Sequence, residues 1–242
     1  MCFTDPAQGT KSAEFIGKHK LATKVAVLYD SSADYNSGVN DAFVAAAEDN
    51  GLEVVADEAY TADSNTDFSV QLKKIKDSGA DLLFLPNYYS DNALILQQAH
   101  DAGMDDVKKF GVDGMDGILT LDNFDTALAE DVMLLTPFTA DAEDELTKKF
   151  VTTYKEKFGE VPNQFAADGY DCIMSIYEAC KAQGITADMS ASDICEKLIE
   201  QFTSPDFKID GLTGTQMQWS KTGEVSKPPK GMIIKNGVYV GM

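Results

Sequence analysis

Histidine and cysteine are scarce in this 242-residue chain, and basic charge is in deficit. No apolar run approaches the length of a membrane-spanning helix. Lys and Arg together number 20 against 40 Asp and Glu, a formal net charge of −20. A surface this acidic repels phosphate backbones and anionic membrane faces, which argues against DNA or RNA as a partner. Pairs such as Asp105-Asp106 and Lys73-Lys74 are ordinary solvated faces rather than interaction blocks. The opening, Met1-Cys2-Phe3-Thr4-Asp5-Pro6, does not read as a signal peptide.

Four cysteines are present: Cys2, Cys172, Cys180 and Cys195. Cys172 and Cys180 fall on one helical stretch, roughly 12 Å apart at a rise of about 1.5 Å per residue, too far to bridge. Cys180 can meet Cys195 only if two helices pack side by side. The favoured reading is free thiols behaving as small hydrophobes. Nothing has the spacing of a zinc site. Asp63-Ser64-Asn65-Thr66-Asp67 resembles the opening of a calcium loop, but Phe68 stands where the sharp-turn Gly is required and Lys74 where the bidentate Glu belongs. Gly111, Gly114 and Gly117 lack the spacing and the following helix of a dinucleotide fingerprint, and neither a phosphate loop nor a nucleophile elbow appears. His19 and His100 do not fall together in the expected layout, and His100 lies on a polar helix face. No acid, base and nucleophile converge. No metal or cofactor is expected, and enzymes are disfavoured.

What is present is alternation. Lys24 to Asp30, Leu52 to Tyr60, Asp81 to Pro86, Lys109 to Val112 and Val132 to Thr136 read as strands. The helices between them show apolar faces such as Val39, Phe43 and Ala47, or Phe68, Leu72 and Ile75, with Thr66 or Asp67 as a cap. Such alternation predicts an α/β fold, a parallel sheet with helices on both faces. After Pro137 the texture changes. Leu146, Phe150, Tyr154 and Phe158 repeat at helical spacing, and further helices are expected over 163–183 and 190–202. Leu212 to Trp219 and Gly231 to Tyr239 read as β, with a turn at Asn236-Gly237. These last helices have wide apolar faces and almost no strand of their own to cover. An apolar face left in water forfeits about 25 cal/mol per Å², so either these helices cover the sheet of the first segment or, the favoured expectation, the sheet they belong to lies outside this chain.

Parallel sheets bind ligands beyond the carboxyl ends of their strands. Asp34-Tyr35 follows the first strand, Asn87-Tyr88-Tyr89 the third, and Asp113-Gly114-Met115-Asp116-Gly117 the fourth. Two aromatics and a carboxylate on one rim make an apolar wall beside an acceptor for a cation. Tyr and Asp are also common turn residues; the convergence of three groups on one rim favours a site.

These residues carry a resemblance. Cys2 to Gly9, Lys24 to Asp30, Asp34-Tyr35-Asn36-Ser37-Gly38, Thr66-Asp67-Phe68, the Asn87-Tyr88-Tyr89 turn, Gly111-Val112-Asp113-Gly114 and Gly211-Leu212-Thr213-Gly214 follow in order. Together they resemble the branched-chain amino acid binding proteins of ABC importers, the type I periplasmic solute-binding proteins. The resemblance implies two α/β lobes joined by three crossovers, with the ligand in the cleft. It implies a crossover and first helix over 1–20, a complete C-terminal-type lobe over 21–137, the second half of an N-terminal-type lobe over 138–228, and a returning strand over 229–242. The first half of the N-terminal lobe is then absent.

The resemblance further implies cleft aromatics at Tyr35, Tyr88 and Phe165 and an ammonium-binding acid at Asp113, where the best-known relatives carry Glu. It implies an amino acid ligand, hinge closure, an ABC permease as partner, and an extracellular or periplasmic location. A ligand-binding sensory domain of a receptor is the alternative of another class. A homodimer or a companion chain supplying the missing half-lobe is a further expectation.

Overall fold

The computed structural model describes residues 1–242. The chain divides into two compact units: Thr4–Thr136 with Pro229–Met242, and Met1–Phe3 with Pro137–Pro228.

The larger unit is built on α1 (Asp5–Lys18), β1 (Lys24–Asp30), α2 (Asp34–Ala47), β2 (Glu53–Tyr60), α3 (Ser69–Ser78), β3 (Leu82–Leu85), α4 (Tyr89–Asp101), β4 (Lys108–Gly111) and β5 (Met133–Thr136). The returning segment adds β6 (Lys230–Lys235) and β7 (Val238–Gly241). All seven strands form one sheet in the order β2-β1-β3-β4-β5-β6-β7. The first five run parallel, while β6 and β7 join antiparallel. The Asn236-Gly237 turn joins these last two strands with both residues at positive φ, 53° and 73°. That geometry matches the right-handed twist of the flanking strands, as the sequence pair predicts.

Strand alternation sorts the core into two layers. Val25 and Val27 of β1 and Phe84 of β3 pack with Ile16 of α1 and Phe43 of α2. Ala26, Leu28, Leu83 and Leu85 turn to the opposite face, against Leu72 and Ile75 of α3 and Ile95 of α4. Every residue of β3 is buried, as expected of a central strand covered on both sides. Phe43 stacks on Phe84 with ring centroids 4.0 Å apart. Two helices share the first face because Gly9 lets them approach: a Cβ there would lie 2.2 Å from the Val39 carbonyl oxygen of α2. Asp67 does turn its carboxylate to the start of α3, accepting from the Ser69 N–H at 2.9 Å.

The smaller unit contains α5 (Glu145–Phe158), α6 (Gln164–Ala182) and α7 (Ala191–Phe202). Each opens on a side-chain cap: Asp144 accepts from Thr147 N–H, Asn163 from Ala166 N–H, and Ser190 from Asp193 N–H. The strand expected over 212–219 does not form; only two isolated bridges appear, Ile209 with Met217 and Trp219 with Val225. The cause is competition for backbone donors. The fully buried Asp171 of α6 takes the Leu212 and Thr213 N–H groups at 2.8 Å and the Thr213 hydroxyl at 2.7 Å, and Asp210 takes the Gln216 N–H. Carboxylates, not a partner strand, satisfy this segment. Beside it the buried Lys227 ammonium pairs with Asp168 at 3.1 Å, which also accepts from the Cys2 thiol.

None of the four cysteines is in a disulfide, Cys180 and Cys195 included. No helix is long and apolar enough to cross a membrane. On the smaller unit much apolar surface stays open: no residue of α7 is fully buried, although Leu198 and Phe202 pack on Phe207 and Met217, and Ile173, Ile176, Tyr177 and Ile199 are all more than two-fifths exposed. A groove of about 600 Å³ between α6 and α7 is lined by Cys172, Ser175, Ile176, Leu198, Ile199 and Trp219.

Asp171→Ala strands two backbone N–H groups and a hydroxyl in the interior. At about 1–3 kcal/mol for each unsatisfied group, the unit should lose about 3–5 kcal/mol, read as a lowered urea midpoint. A loss below about 1 kcal/mol would show that the carboxylate does not hold the 211–214 turn.

Candidate functional site

At the carboxyl ends of β1, β3 and β4 the chain passes from strands that must be apolar to turns that need not be. Asn87 follows β3 and is fully buried. Its amide makes four contacts. Nδ2 donates to the Leu28 carbonyl at 2.8 Å and to Asn92 Oδ1 at 3.2 Å. Oδ1 accepts from the Asp30 N–H at 3.1 Å and from Asn36 Nδ2 at 3.0 Å. Asn92 returns a bond to the Asn87 carbonyl. One side chain thus ties the end of β1, the first turn of α2 and the first turn of α4, which gives Tyr35 and Tyr88 fixed places on the rim.

Tyr35 sits in the first turn of α2, and Tyr88 is the residue preceding α4. Their rings stack with centroids 4.9 Å apart and planes inclined by 29°. Tyr35 donates its hydroxyl proton to Asp113 Oδ1 at 2.8 Å. Burial, and then the neighbouring Asp113 charge, push the Tyr35 phenol far above its usual range, so it acts as a neutral donor throughout the physiological range. Asp113 is 5% exposed, whereas Tyr88 is 50% exposed. The result is a buried carboxylate held by a phenol, beneath a ring with one face open.

The loop carrying Asp113 is fastened by two phenols. Gly114 N–H donates to the Tyr35 hydroxyl at 3.3 Å, and Gly117 N–H to the Tyr239 hydroxyl of β7 at 3.2 Å. Gly114 is required here, since a Cβ would stand 2.9 Å from the Tyr35 hydroxyl and 3.0 Å from the Asn87 carbonyl oxygen. The returning hairpin therefore does more than close the sheet: it holds one end of the Asp113 loop.

Tyr35, Tyr88 and Asp113 thus come together on one rim. Phe165 belongs to the smaller unit, in the first turn of α6, and is 38% exposed. Gln8, Asn36 and Tyr239 touch the constellation or its supports and carried no sequence signal for that role. Asn87 did carry one: a polar residue directly after an apolar strand and Pro86 has to be satisfied locally or sit at a site. His100 is solvated and bonds only to the neighbouring Asp105 carboxylate, which holds its imidazole above the usual range. Chemically the rim offers a fixed carboxylate, phenol hydroxyls and an aromatic face. That set suits a compact cation attached to an apolar body.

Asn87→Leu keeps the branched shape and removes every side-chain bond. Four buried groups, the Asp30 N–H, the Asn36 amide, the Leu28 carbonyl and the Asn92 amide oxygen, lose a partner, at about 3–5 kcal/mol together. The melting temperature should fall by about 6–15 °C; an unchanged melt would show that the rim is held by something else.

The periplasmic binding protein family model matches residues 1–232. A Leu/Ile/Val-binding protein homolog from Brucella melitensis is 35% identical over 103 residues, 43% of this chain and 27% of its own length. The leucine-, isoleucine-, valine-, threonine- and alanine-binding protein of Pseudomonas aeruginosa is 26% identical over 183 residues, 74% of this chain and 47% of its own. The crystal structure of a leucine-binding protein from Thermotoga maritima superposes with a TM-score of 0.85 at 28% identity, covering 100% of this chain and 65% of that one. The chain therefore spans less than half the length of these two curated relatives and about two-thirds of the structural one. With that match over almost its whole length, the chain belongs to the periplasmic binding protein family.

Proposed function

We propose that this chain carries the ammonium-binding part of the cleft of an extracytoplasmic solute-binding receptor, one that delivers a branched-chain or similar amino acid to an ABC permease. The observation that carries the reading is the stacked Tyr35–Tyr88 pair beside the buried, phenol-held Asp113. A carboxylate fixed in place before the ligand arrives loses little freedom on binding, and an ammonium supplies the opposite charge it is shaped for. Asp in place of a longer Glu shortens the reach of the carboxylate, which favours a ligand seated close to the rim. Phe165 is assigned to the same cleft on the strength of the family resemblance. Hinge closure follows as the mechanism: bound ligand stabilises the closed form, and the permease distinguishes closed from open.

Residues 21–137 form the ligand-binding lobe in this reading, entered through 1–20 and completed by the return at 229–242. Residues 138–228 are half of a second lobe. The support for that division is energetic. The smaller unit has three amphipathic helices and no strand beyond isolated bridges, and one helix has no fully buried residue. At about 25 cal/mol per Å² of apolar surface, such a face is stabilised by a sheet laid across it. A companion polypeptide or a second copy of the chain is the proposed source.

A thermal melt of the chain in each of the standard amino acids tests the reading. Leucine, isoleucine or valine should raise the midpoint, by the equivalent of about 2.7 kcal/mol at a hundredfold excess over Kd. Asp113→Ala should keep the ligand-free midpoint within a few degrees and remove most of the shift. A shift retained in Asp113→Ala, or equally large with 4-methylpentanoate, which has no ammonium, contradicts the assignment.

A further inference from the structure

The Tyr35 hydroxyl has one proton and two acceptors within reach. Asp113 Oδ1 lies 2.8 Å away and Gln8 Oε1 lies 3.2 Å away, while the Gly114 N–H donates to the same hydroxyl oxygen from 3.3 Å. A phenol donates once. The nearer acceptor is a carboxylate, and a charge-assisted bond is roughly twice as strong as a neutral one. The proton therefore goes to Asp113. An amide oxygen then faces the phenol oxygen lone pair against lone pair, with Gln8 only 5% exposed and water unable to intervene. A half-turn of the carboxamide removes the conflict without changing its shape, because it brings Nε2 to the position of Oε1. The phenol oxygen then accepts from Gln8 and Gly114 and donates to Asp113.

We propose that Gln8, in the first turn of α1, is a positioning residue of the ligand site: its carboxamide N–H donates to the Tyr35 hydroxyl and commits that hydroxyl's proton to Asp113. The inference rests on the reading of Tyr35 and Asp113 as ligand contacts. It also explains why α1 lies so close to α2. Gly9, the next residue, permits the approach of the two backbones, and that approach is what brings Gln8 to Tyr35. Each N–H accepted by the phenol polarises its O–H further towards the carboxylate. The first helix of the unit thereby acts on the ligand site without touching ligand.

Two substitutions separate this role from space-filling. Gln8→Met keeps length and bulk but is mute. Gln8→Glu keeps shape but is acceptor-only when ionised, so it competes with Asp113 for the Tyr35 proton. On the ligand-free chain, side-chain amide NMR should show one Gln8 Nε2 proton exchanging with water about tenfold more slowly than in Tyr35→Phe. In calorimetric titrations with L-leucine, Gln8→Met should weaken binding roughly fivefold. Gln8→Glu should weaken it further at neutral pH and recover as the introduced carboxyl protonates. Gln8 amide exchange indifferent to Tyr35→Phe overturns the inference, as do equal, pH-independent losses in the two Gln8 variants. Slowed exchange in a wild-type chain that takes up no leucine would support the hydrogen bond while counting against the ligand reading. Leucine binding with indifferent exchange would do the reverse.

Discussion

The site depends first on the Asn87 carboxamide. A parallel sheet leaves the ends of its strands with unpaired backbone groups, and turns that diverge from there have no common ladder to hold them. Asn87 supplies one, donating to Leu28 and accepting from Asp30 and Asn36 with its own backbone bonded to Asn92. Only a side chain with both donors and an acceptor, buried and fully used, can do this. The aromatic pair stands on its two sides: Tyr35 adjoins Asn36, and Tyr88 adjoins Asn87 itself. The stacking of the pair is thus a consequence of polar bonds beneath it rather than of the aromatic contact alone, whose own contribution is about 0.5–1.5 kcal/mol.

A second level of support reaches the Asp113 loop from places far apart in the sequence. Tyr35 binds Asp113 across 78 positions, and Tyr239 binds Gly117 across 122. The loop is held between a helix from the start of the unit and a hairpin from its end. This gives a physical reason for a chain that leaves the larger unit at Pro137 and returns at Pro229. The returning residues close the parallel sheet with antiparallel strands and place a phenol on the loop that carries the acid.

Much of this architecture was legible beforehand. Strands such as 82–85 are uniformly apolar, their helices carry faces at helical spacing, and Asn-Gly specifies the last turn. Tyr35, Tyr88 and Asp113 stood out as candidates because all three follow strand ends, and the fold brings them together. Two things were not legible, for different reasons. The segment 212–219 has the alternation of a strand, but Asp171 and Asp210 take its donors, and competition by distant side chains leaves no local trace. Gln8 and Tyr239 act through contacts made only after helices and hairpin have packed, so nothing near them in the sequence marks the role. The unsatisfied apolar faces of α6 and α7, by contrast, were visible as pattern and remain visible as exposed surface.

The measurement that bears most directly on the central claim is a titration of isotope-labelled chain with L-leucine, followed by backbone amide NMR, with N-acetyl-L-leucine as the control. The method detects the weak, millimolar binding expected of part of a cleft, about −4 kcal/mol at a Kd near 1 mM. The account predicts saturable shifts centred on Tyr35, Tyr88, Asp113 and Gly114 with leucine, and none there when the ammonium is blocked. Shifts centred elsewhere, or the same shifts with the acetylated ligand, would contradict it.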